Sequence, residues 1–393
     1  MQYDFDTPID RTHTWSIKHD FKKENGKADD ILPLWVADMD FRSPDSVVEA
    51  LKKAVDHGIF GYSRADESYF DAVAAWYQKR HHLTLQPEWM TCTPGIVFAL
   101  SIAVRAFTQE GDAVLIQPPV YHPFSRAILR NKRTLVENPL VLKDGHYEMD
   151  LEELEQKVLD EHVKLMILCN PHNPVGRVWT REELTALADI CLRHHVYVIS
   201  DEIHGDFVWQ GHEQTPYASI SEEACLHSMM CTAPSKTFNL AGLVGSYHIV
   251  YNSWWRDRME KESSLSHYNM MNVLSMHALI GAYKPEGYEW TNELCEVLTS
   301  NIDFACDYIE KHFEGVTVSK PQGTYMLFVD CTDWCKAHGK TIEDVEHACW
   351  DVGAAIQDGT MFFGPCHLRM NLASPRSRIE EAFHRMDKYV FNA

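Results

Sequence analysis

The chain alternates short apolar runs with longer stretches of helical period. Val163–Leu168 is apolar enough for a buried strand, and it runs into Cys169-Asn170-Pro171-His172-Asn173-Pro174-Val175-Gly176, where two Asn-Pro turns stop it. Thr180 to His195 carries helix signals: Thr180 as N-cap, Glu183 three residues on, then apolar Leu184, Leu187, Ala188 and Cys191. Val196–Ser200 is a second apolar strand, ending in Asp201-Glu202-Ile203-His204. Strand, helix and strand in that order predict parallel neighbours joined by a right-handed crossover. Asn173 and Asp201 then share one edge of a sheet, the edge at which open α/β sheets bind ligands.

The alternation extends over most of the chain. Ser43-Pro44 opens a helix with a preferred cap and an N1 proline, closing near His57-Gly58. Trp89–Thr93 and Ala113–Gln117 predict strands flanking a helix from about Gly95 to Phe107, and Ser246–Val250 predicts another strand. The fold class expected is α/β, a mostly parallel sheet covered by helices on both faces. After Pro285 a long helical stretch leads to Phe313–Val318, Thr324–Val329 and Leu368–Leu372, strands of a smaller α+β unit. Residues 1 to about 30, with clusters such as Lys22-Lys23-Glu24-Asn25-Gly26-Lys27, read as an irregular arm.

Composition narrows the function. The 36 basic residues against 57 acidic ones give a net charge of −21, which argues against nucleic acid or an anionic membrane as partner. No apolar stretch approaches a membrane span, and Met1-Gln2-Tyr3-Asp4-Phe5-Asp6 lacks the build of a signal peptide, so a cytoplasmic protein is expected. The 11 cysteines are scattered in apolar segments (Cys169, Cys191, Cys231, Cys306), the usage of reduced, packed thiols. Cys331 and Cys335 have no second pair, and His81-His82 and His194-His195 fall at helix ends, so no metal is expected.

Candidate chemistry centres on Ala233-Pro234-Ser235-Lys236-Thr237-Phe238-Asn239-Leu240-Ala241-Gly242, where Lys236 has no charged neighbour for several residues on either side. A desolvated lysine loses proton affinity and becomes an amine nucleophile suited to Schiff-base chemistry with a carbonyl cofactor. Taken alone, the segment fits an ordinary loop lysine as well. The amides of Gly95, Ile96 and Val97 at a helix start can hold a phosphate, or mark a plain loop-to-helix junction. Tyr121, following an apolar strand, can cover a flat heterocycle or pack in the core. Arg369, between Leu368 and Met370, needs either a buried carboxylate or an anionic ligand to meet it. Arg376 and Arg378 read as surface residues.

Asn170 to Gly176, Ser200-Asp201-Glu202-Ile203-His204 and Ala233 to Asn239 together resemble the class I/II aminotransferase superfamily of fold type I pyridoxal-phosphate enzymes. Trp35-Val36-Ala37-Asp38-Met39-Asp40-Phe41 and His367-Leu368-Arg369-Met370-Asn371-Leu372-Ala373 support it, and the MalY/PatB-type cystathionine β-lyase (C–S lyase) branch is the most similar. The resemblance covers essentially the whole chain. It implies a discontinuous small domain, with 1–45 as arm and part of that domain, 46–285 as the large cofactor-binding domain and 286–393 as the C-terminal small domain.

The same resemblance implies the site. Lys236 would bind pyridoxal 5′-phosphate covalently and act as the base, Asp201 would face the pyridine nitrogen, Asn173 the ring oxygen, and Tyr121 would stack on the ring. Gly95, Ile96, Val97 and Ser235 would hold the phosphate with Tyr62 of the partner subunit, making a homodimer with shared active sites. Arg369, Asn173 and Ala37 would bind the substrate. His204 stands where many aminotransferases carry a tyrosine; it belongs to the cofactor site with its role open. Ala233 and Val244 replace a serine and an arginine common in the superfamily, which leaves the phosphate to other residues. The activity implied is β-elimination on cystathionine, cystine or related small sulfur-containing amino acids. The alternatives are an amino acid aminotransferase, including one of histidinol-phosphate type, and a regulator that keeps the cofactor without catalysis. Trp35, Met39 and His267-Tyr268-Asn269-Met270 are candidates for shaping the distal substrate pocket.

Overall fold

Helix α1 (Asp45–His57) leads to β1 (Met90–Thr93), α2 (Ile96–Phe107), β2 (Ala113–Ile116) and β3 (Thr134–Glu137). The expected crossover unit follows as β4 (Leu165–Cys169), α3 (Arg181–Arg193) and β5 (Tyr197–Asp201), then β6 (Ser228–Thr232), the one-turn α4 (Pro234–Thr237) and β7 (Ser246–Val250). These strands form one 7-stranded sheet in the order β1-β7-β6-β5-β4-β2-β3. All neighbours are parallel except β7, which is antiparallel to both β6 and β1. The computed structural model describes residues 1–21, 30–266 and 270–392, so the Lys22–Lys27 cluster and His267–Asn269 lie outside the described residues.

Alternation along the central strands feeds two cores. Leu165, Ile167, Cys169, Tyr197 and Ile199 face α2, where they bury Ala99, Leu100 and Ala103. Met166, Leu168 and Val198 face the opposite way, onto Leu184, Leu187, Ala188 and Cys191 of α3. The start of α3 is fixed by a full capping box: the Glu183 N–H donates to Thr180 Oγ1 at 3.1 Å, and the Thr180 N–H donates to Glu183 Oε2 at 2.8 Å. Cys169 pairs with Asp201 in register, so the Asn-Pro turns and that carboxylate meet at one sheet edge.

After α5 (Pro285–His312), strands β8 (Thr317–Val318) and β9 (Met326–Asp330), helix α6 (Ile342–Asp351), and strands β10 (Gln357–Asp358) and β11 (His367–Asn371) build the smaller unit. Its 4-stranded sheet runs β8-β9-β11-β10, all antiparallel. Leu32–Pro33 pairs in parallel with Ala354–Ala355, and the Asn371 N–H donates to Leu34 O at 2.7 Å. Both ends of the chain therefore build this unit, and it is discontinuous.

The two units are joined near the site by glycines. Gly176 has φ +73°, and a Cβ there would lie 2.2 Å from Pro321 Cβ. Its carbonyl accepts from the amides of Gln322 (2.8 Å) and Gly323 (3.0 Å), fixing the Asn173 turn to the approach to β9.

Some local expectations are corrected. Ser43 does not cap α1: its hydroxyl donates to Phe238 O at 2.8 Å, and Pro44 takes the cap position. Phe313–Val316 is a packed turn rather than strand, because Phe313 ends α5 and stacks on Phe391 at 4.3 Å. Thr324, at φ 63°, delays β9 to Met326. Asp201 is the last residue of β5 itself rather than the first beyond it.

Candidate active site

Lys236 sits in α4, the turn that follows β6. Pro234 occupies the first helical position, and Phe238 closes the turn through its N–H to Pro234 O at 2.9 Å. Next to it, Thr237 is fully buried and donates to Asp206 Oδ2 at 2.6 Å. Asp206 also meets Arg80 Nε at 2.9 Å, His81 Nε2 at 3.1 Å and Trp76 Nε1 at 3.2 Å. On the other side, Asn239 accepts the Met39 N–H at 2.9 Å and donates to Met39 O and Phe41 O. The lysine is thus held on a turn fixed at both ends. Burial, reinforced by the charge of Arg369, pushes the Lys236 ammonium down to about 8; Asp38 and Asp201 pull the other way.

Asp201 and Asn173 stand at the same sheet edge, and Asp201 is near enough to this lysine for their charges to interact. Burial pushes the Asp201 carboxyl up to about 7, and a single 3.2 Å hydrogen bond from the Ile203 N–H offsets it only partly. A carboxyl so poorly solvated is stabilised as an anion by a cation placed against it. The buried Asn173 Oδ1 has no partner, and neither has the buried His204 Nδ1. His204 packs on Tyr325, with centroids 5.7 Å apart; burial, with the charges of Lys236 and Arg369, lowers it to about 3, so it is a neutral ring. Tyr121 is half-buried, and its phenol is raised by burial and then by the nearby Asp201.

Arg369 occupies the middle of β11, opposite Phe328 and Gln357. Its Nη2 donates to Trp35 O at 3.1 Å and to Gln357 Oε1 at 2.5 Å, and the guanidinium lies 4.3 Å over the Phe362 ring. Among the described residues no carboxylate pairs with it, and its buried Nε has no partner. The structural ion pair weighed as an alternative is therefore not what holds this arginine. Burial depresses it to about 10, an unusual cost for a guanidinium unless an anion docks there.

The Trp35–Asp40 segment covers Arg369. Ala37 O accepts from Tyr325 Oη at 2.8 Å, and Asn371 Nδ2 donates to Val36 O (2.6 Å) and Asp38 O (2.7 Å). Beneath it lies an ion cluster. Asp40 receives Lys18 Nζ at 3.0 Å, His19 Nε2 at 2.8 Å and Arg11 Nη1 at 2.8 Å, and Arg11 also bridges to Asp38. The arm read as irregular thus contributes Lys18 and His19 to the core.

The start of α2 leaves its first amides without intrahelical acceptors, as any helix start does. A Cβ built on Gly95 meets no protein atom within 4 Å, so space lies open before Gly95, Ile96 and Val97, with Val97 itself 42% exposed. Ser235 is half-buried near this region, beside Tyr69 and Gly245. Tyr62 is 99% exposed, so within one chain nothing holds it at this site. Val244, in the place of the common arginine, is exposed at φ 51°. The orphaned atoms of Asn173, His204 and Arg369, the lone Asp201 and the open helix start together fit a flat, charged cofactor with a phosphate. Sequence reasoning missed Asp38, Tyr325, Gln357 and the Thr237–Asp206 network. Only Asp38, within the Trp35–Phe41 motif, and Thr237, next to Lys236, left a signal.

Comparison with known proteins gives the same picture. The family model for aminotransferase class I and II matches residues 29–386. Cystathionine beta-lyase PatB of Bacillus subtilis is 40% identical over 385 residues, covering 97% of this chain and 98% of that protein. The crystal structure of cystalysin from Treponema denticola, which contains pyridoxal 5′-phosphate, superposes with a TM-score of 0.94 at 35% identity and covers 99% of both chains. The pyridoxal-phosphate-bound C–S lyase from Staphylococcus hominis superposes with a TM-score of 0.90 at 30% identity, over 99% of this chain and 98% of that one.

Proposed function

The chain belongs to the class I and II aminotransferase family, its cofactor is pyridoxal phosphate, and within that family we propose that it is a carbon–sulfur β-lyase. The substrates proposed are cystathionine, cystine and related S-substituted cysteines, cleaved to a thiol, pyruvate and ammonia. The observation that carries the reading is a lysine pushed towards neutrality beside an arginine with no carboxylate partner. The full-length relatives named as C–S or cystathionine lyases support β-elimination over other outcomes.

When bound, pyridoxal phosphate supplies an electron sink for the carbanion formed at the substrate Cα. Lys236 Nζ would anchor that cofactor and, as a free amine of lowered proton affinity, would take the Cα proton. Arg369 offers its unpaired Nε–H to the α-carboxylate in a charge-assisted hydrogen bond, with Ala37 and Asn173 closing around the same end of the substrate. Asp201 would hold positive charge at the ring nitrogen of that cofactor, Asn173 would donate to its ring oxygen, and Tyr121 would cover its ring face. His204, neutral, leaves the positive charge to Lys236 and Arg369. As the Cα electron pair forms a Cα=Cβ bond, the thiolate departs with the Cβ–S pair, and one water hydrolyses the released aminoacrylate to pyruvate and ammonia.

The deciding assay omits any keto acid. Sustained pyruvate release from cystathionine is expected; strict dependence on 2-oxoglutarate would make the protein a transaminase instead. We also propose a homodimer in which Tyr62 reaches the phosphate site of the second copy, since Ile59, Phe60 and Tyr62 form an exposed apolar run (71%, 58% and 99%). Mixing Lys236→Ala with Tyr62→Ala chains should give activity above the sum of the two, because one site of the mixed dimer is then intact. Simple additivity would refute sharing.

A further inference from the structure

A cavity of about 360 Å³ lies in the small unit, between the Trp35 segment, α6 and β10. That is large enough for a small organic group. Trp35 and Trp350 form one wall, edge to face at 5.3 Å. Their indole N–H groups are already committed, to Lys18 O (3.2 Å) and Ile356 O (2.9 Å), so what they offer an occupant is π surface. Glu346 and Asp358 line the rest, with His347 and Gln357. Glu346 Oε1 accepts the Asp358 N–H at 2.8 Å, which brings the two carboxylates together. Among the described residues neither has an ion-pair partner. Burial raises the Glu346 carboxyl and the Asp358 and Glu343 charges add to it, while the Asp358 N–H and the neighbouring His347 only partly offset them, so a further cation is favoured here.

The cavity also touches the site. Trp35 and Gln357, which line it, supply the two acceptors that hold Arg369 Nη2. An occupant leaning on them bears directly on the carboxylate clamp. Aromatic faces with unpaired carboxylates are the surroundings that recognise an organic ammonium.

We propose that this cavity binds an organic ammonium group, carried either by the distal end of the sulfur amino acid substrate or by a separate small amine. Where the group is the substrate's own, the inference rests on the C–S lyase reading and names its substrate class: cysteine conjugates with a cationic far end.

The test uses holoenzyme and follows binding through the visible absorbance of the bound cofactor, independently of turnover. S-(2-aminoethyl)-L-cysteine is compared with the neutral S-(2-hydroxyethyl)-L-cysteine on wild type, Glu346→Gln and Asp358→Asn. If the ammonium is the substrate's own, the cationic conjugate half-saturates at about tenfold lower concentration, and both variants lose that preference while binding the neutral conjugate as before. If a free amine is the occupant, the two conjugates bind alike. Millimolar ethylamine then shifts half-saturation by the neutral conjugate in wild type and not in the variants. Equal binding of the conjugates with no effect of ethylamine overturns the proposal, as does a preference or an ethylamine effect that survives both substitutions. Keto-acid-free pyruvate release is read in parallel: its absence with both conjugates, alongside intact discrimination in binding, defeats the lyase reading and leaves the cavity assigned.

Discussion

Two groups of buried charges lie a few residues apart along the Trp35–Asp40 segment, and they are built to opposite plans. In the arm cluster, Asp40 is met by Lys18, His19 and Arg11, and Lys18 adds a 2.9 Å bond to Asp38 O. Burial alone would raise the Asp40 carboxyl, yet Lys18 and His19 outweigh it and hold the group far below the usual range. At the active site the same residue types, Lys236, Asp201 and Arg369, are each shifted towards their neutral forms by burial, and the Arg369 Nε is left unpaired. Saturated charges fix a segment in place; unsaturated ones hold free energy that a ligand can release.

The contrast can be broken most sharply at Lys236. Lys236→Ala should lower turnover by roughly 10³-fold or more in pyruvate release, given what a positioned base contributes. The cofactor-free protein should melt no earlier than wild type, because an ammonium disfavoured by poor solvation has been removed. A large loss of thermal stability would place this lysine among the structural charges.

Asp40→Asn should do the reverse. Leaving Lys18 buried without its carboxylate is expected to destabilise by about 3–5 kcal/mol in denaturant titrations. A cost under about 1 kcal/mol would make the cluster decorative. The sign with pH follows from the depressed carboxyl: its contribution is complete above the unfolded value near about 4 and is lost only as pH falls through the still lower folded value.

Asp201 sharpens the comparison because its shift has the opposite sign. With the folded carboxyl near 7 and an unfolded value near about 4, the folded cofactor-free protein holds the extra proton between them. Its stability should therefore fall as pH rises from about 4 to 7, by a few kcal/mol. Asp201→Asn should flatten that slope in melting curves of the cofactor-free protein, and an unchanged slope would refute the shift.

The smallest effect belongs to the rim of the arm cluster. Arg11 retains 22% side-chain exposure, so Arg11→Met should cost only about 1–2 kcal/mol. A loss matching that of Asp40→Asn would show that the exposed cation, rather than Lys18, balances the cluster.

The active-site residues were far more legible in the sequence than the arm cluster. Lys236 and Asn173 each follow an apolar strand at a turn and Asp201 closes one, so local pattern alone places them at the ends of strands. Arg369 stands out as a lone cation on an apolar strand. The capping box of α3 was readable because its partners lie three residues apart. Lys18, His19 and Arg11 sit in a polar arm with no periodicity, and their partner lies 21 to 29 residues away. Tyr325 reaches Ala37 across 288 positions, and no local pattern encodes such a contact. Tyr62 is almost wholly exposed in the single chain, and only the proposed homodimer would give it neighbours.

The contacts that hold the Trp35–Asp40 segment have a consequence for biosynthesis. Its backbone is held by side chains from residues 239, 325, 369 and 371, the farthest of them 335 positions downstream. At roughly 5–20 residues per second of translation, the segment leaves the ribosome tens of seconds before Asn371 exists. The early part of the nascent chain must wait, unclasped, until the strand carrying Arg369 and Asn371 has been made, and catalytic competence waits with it.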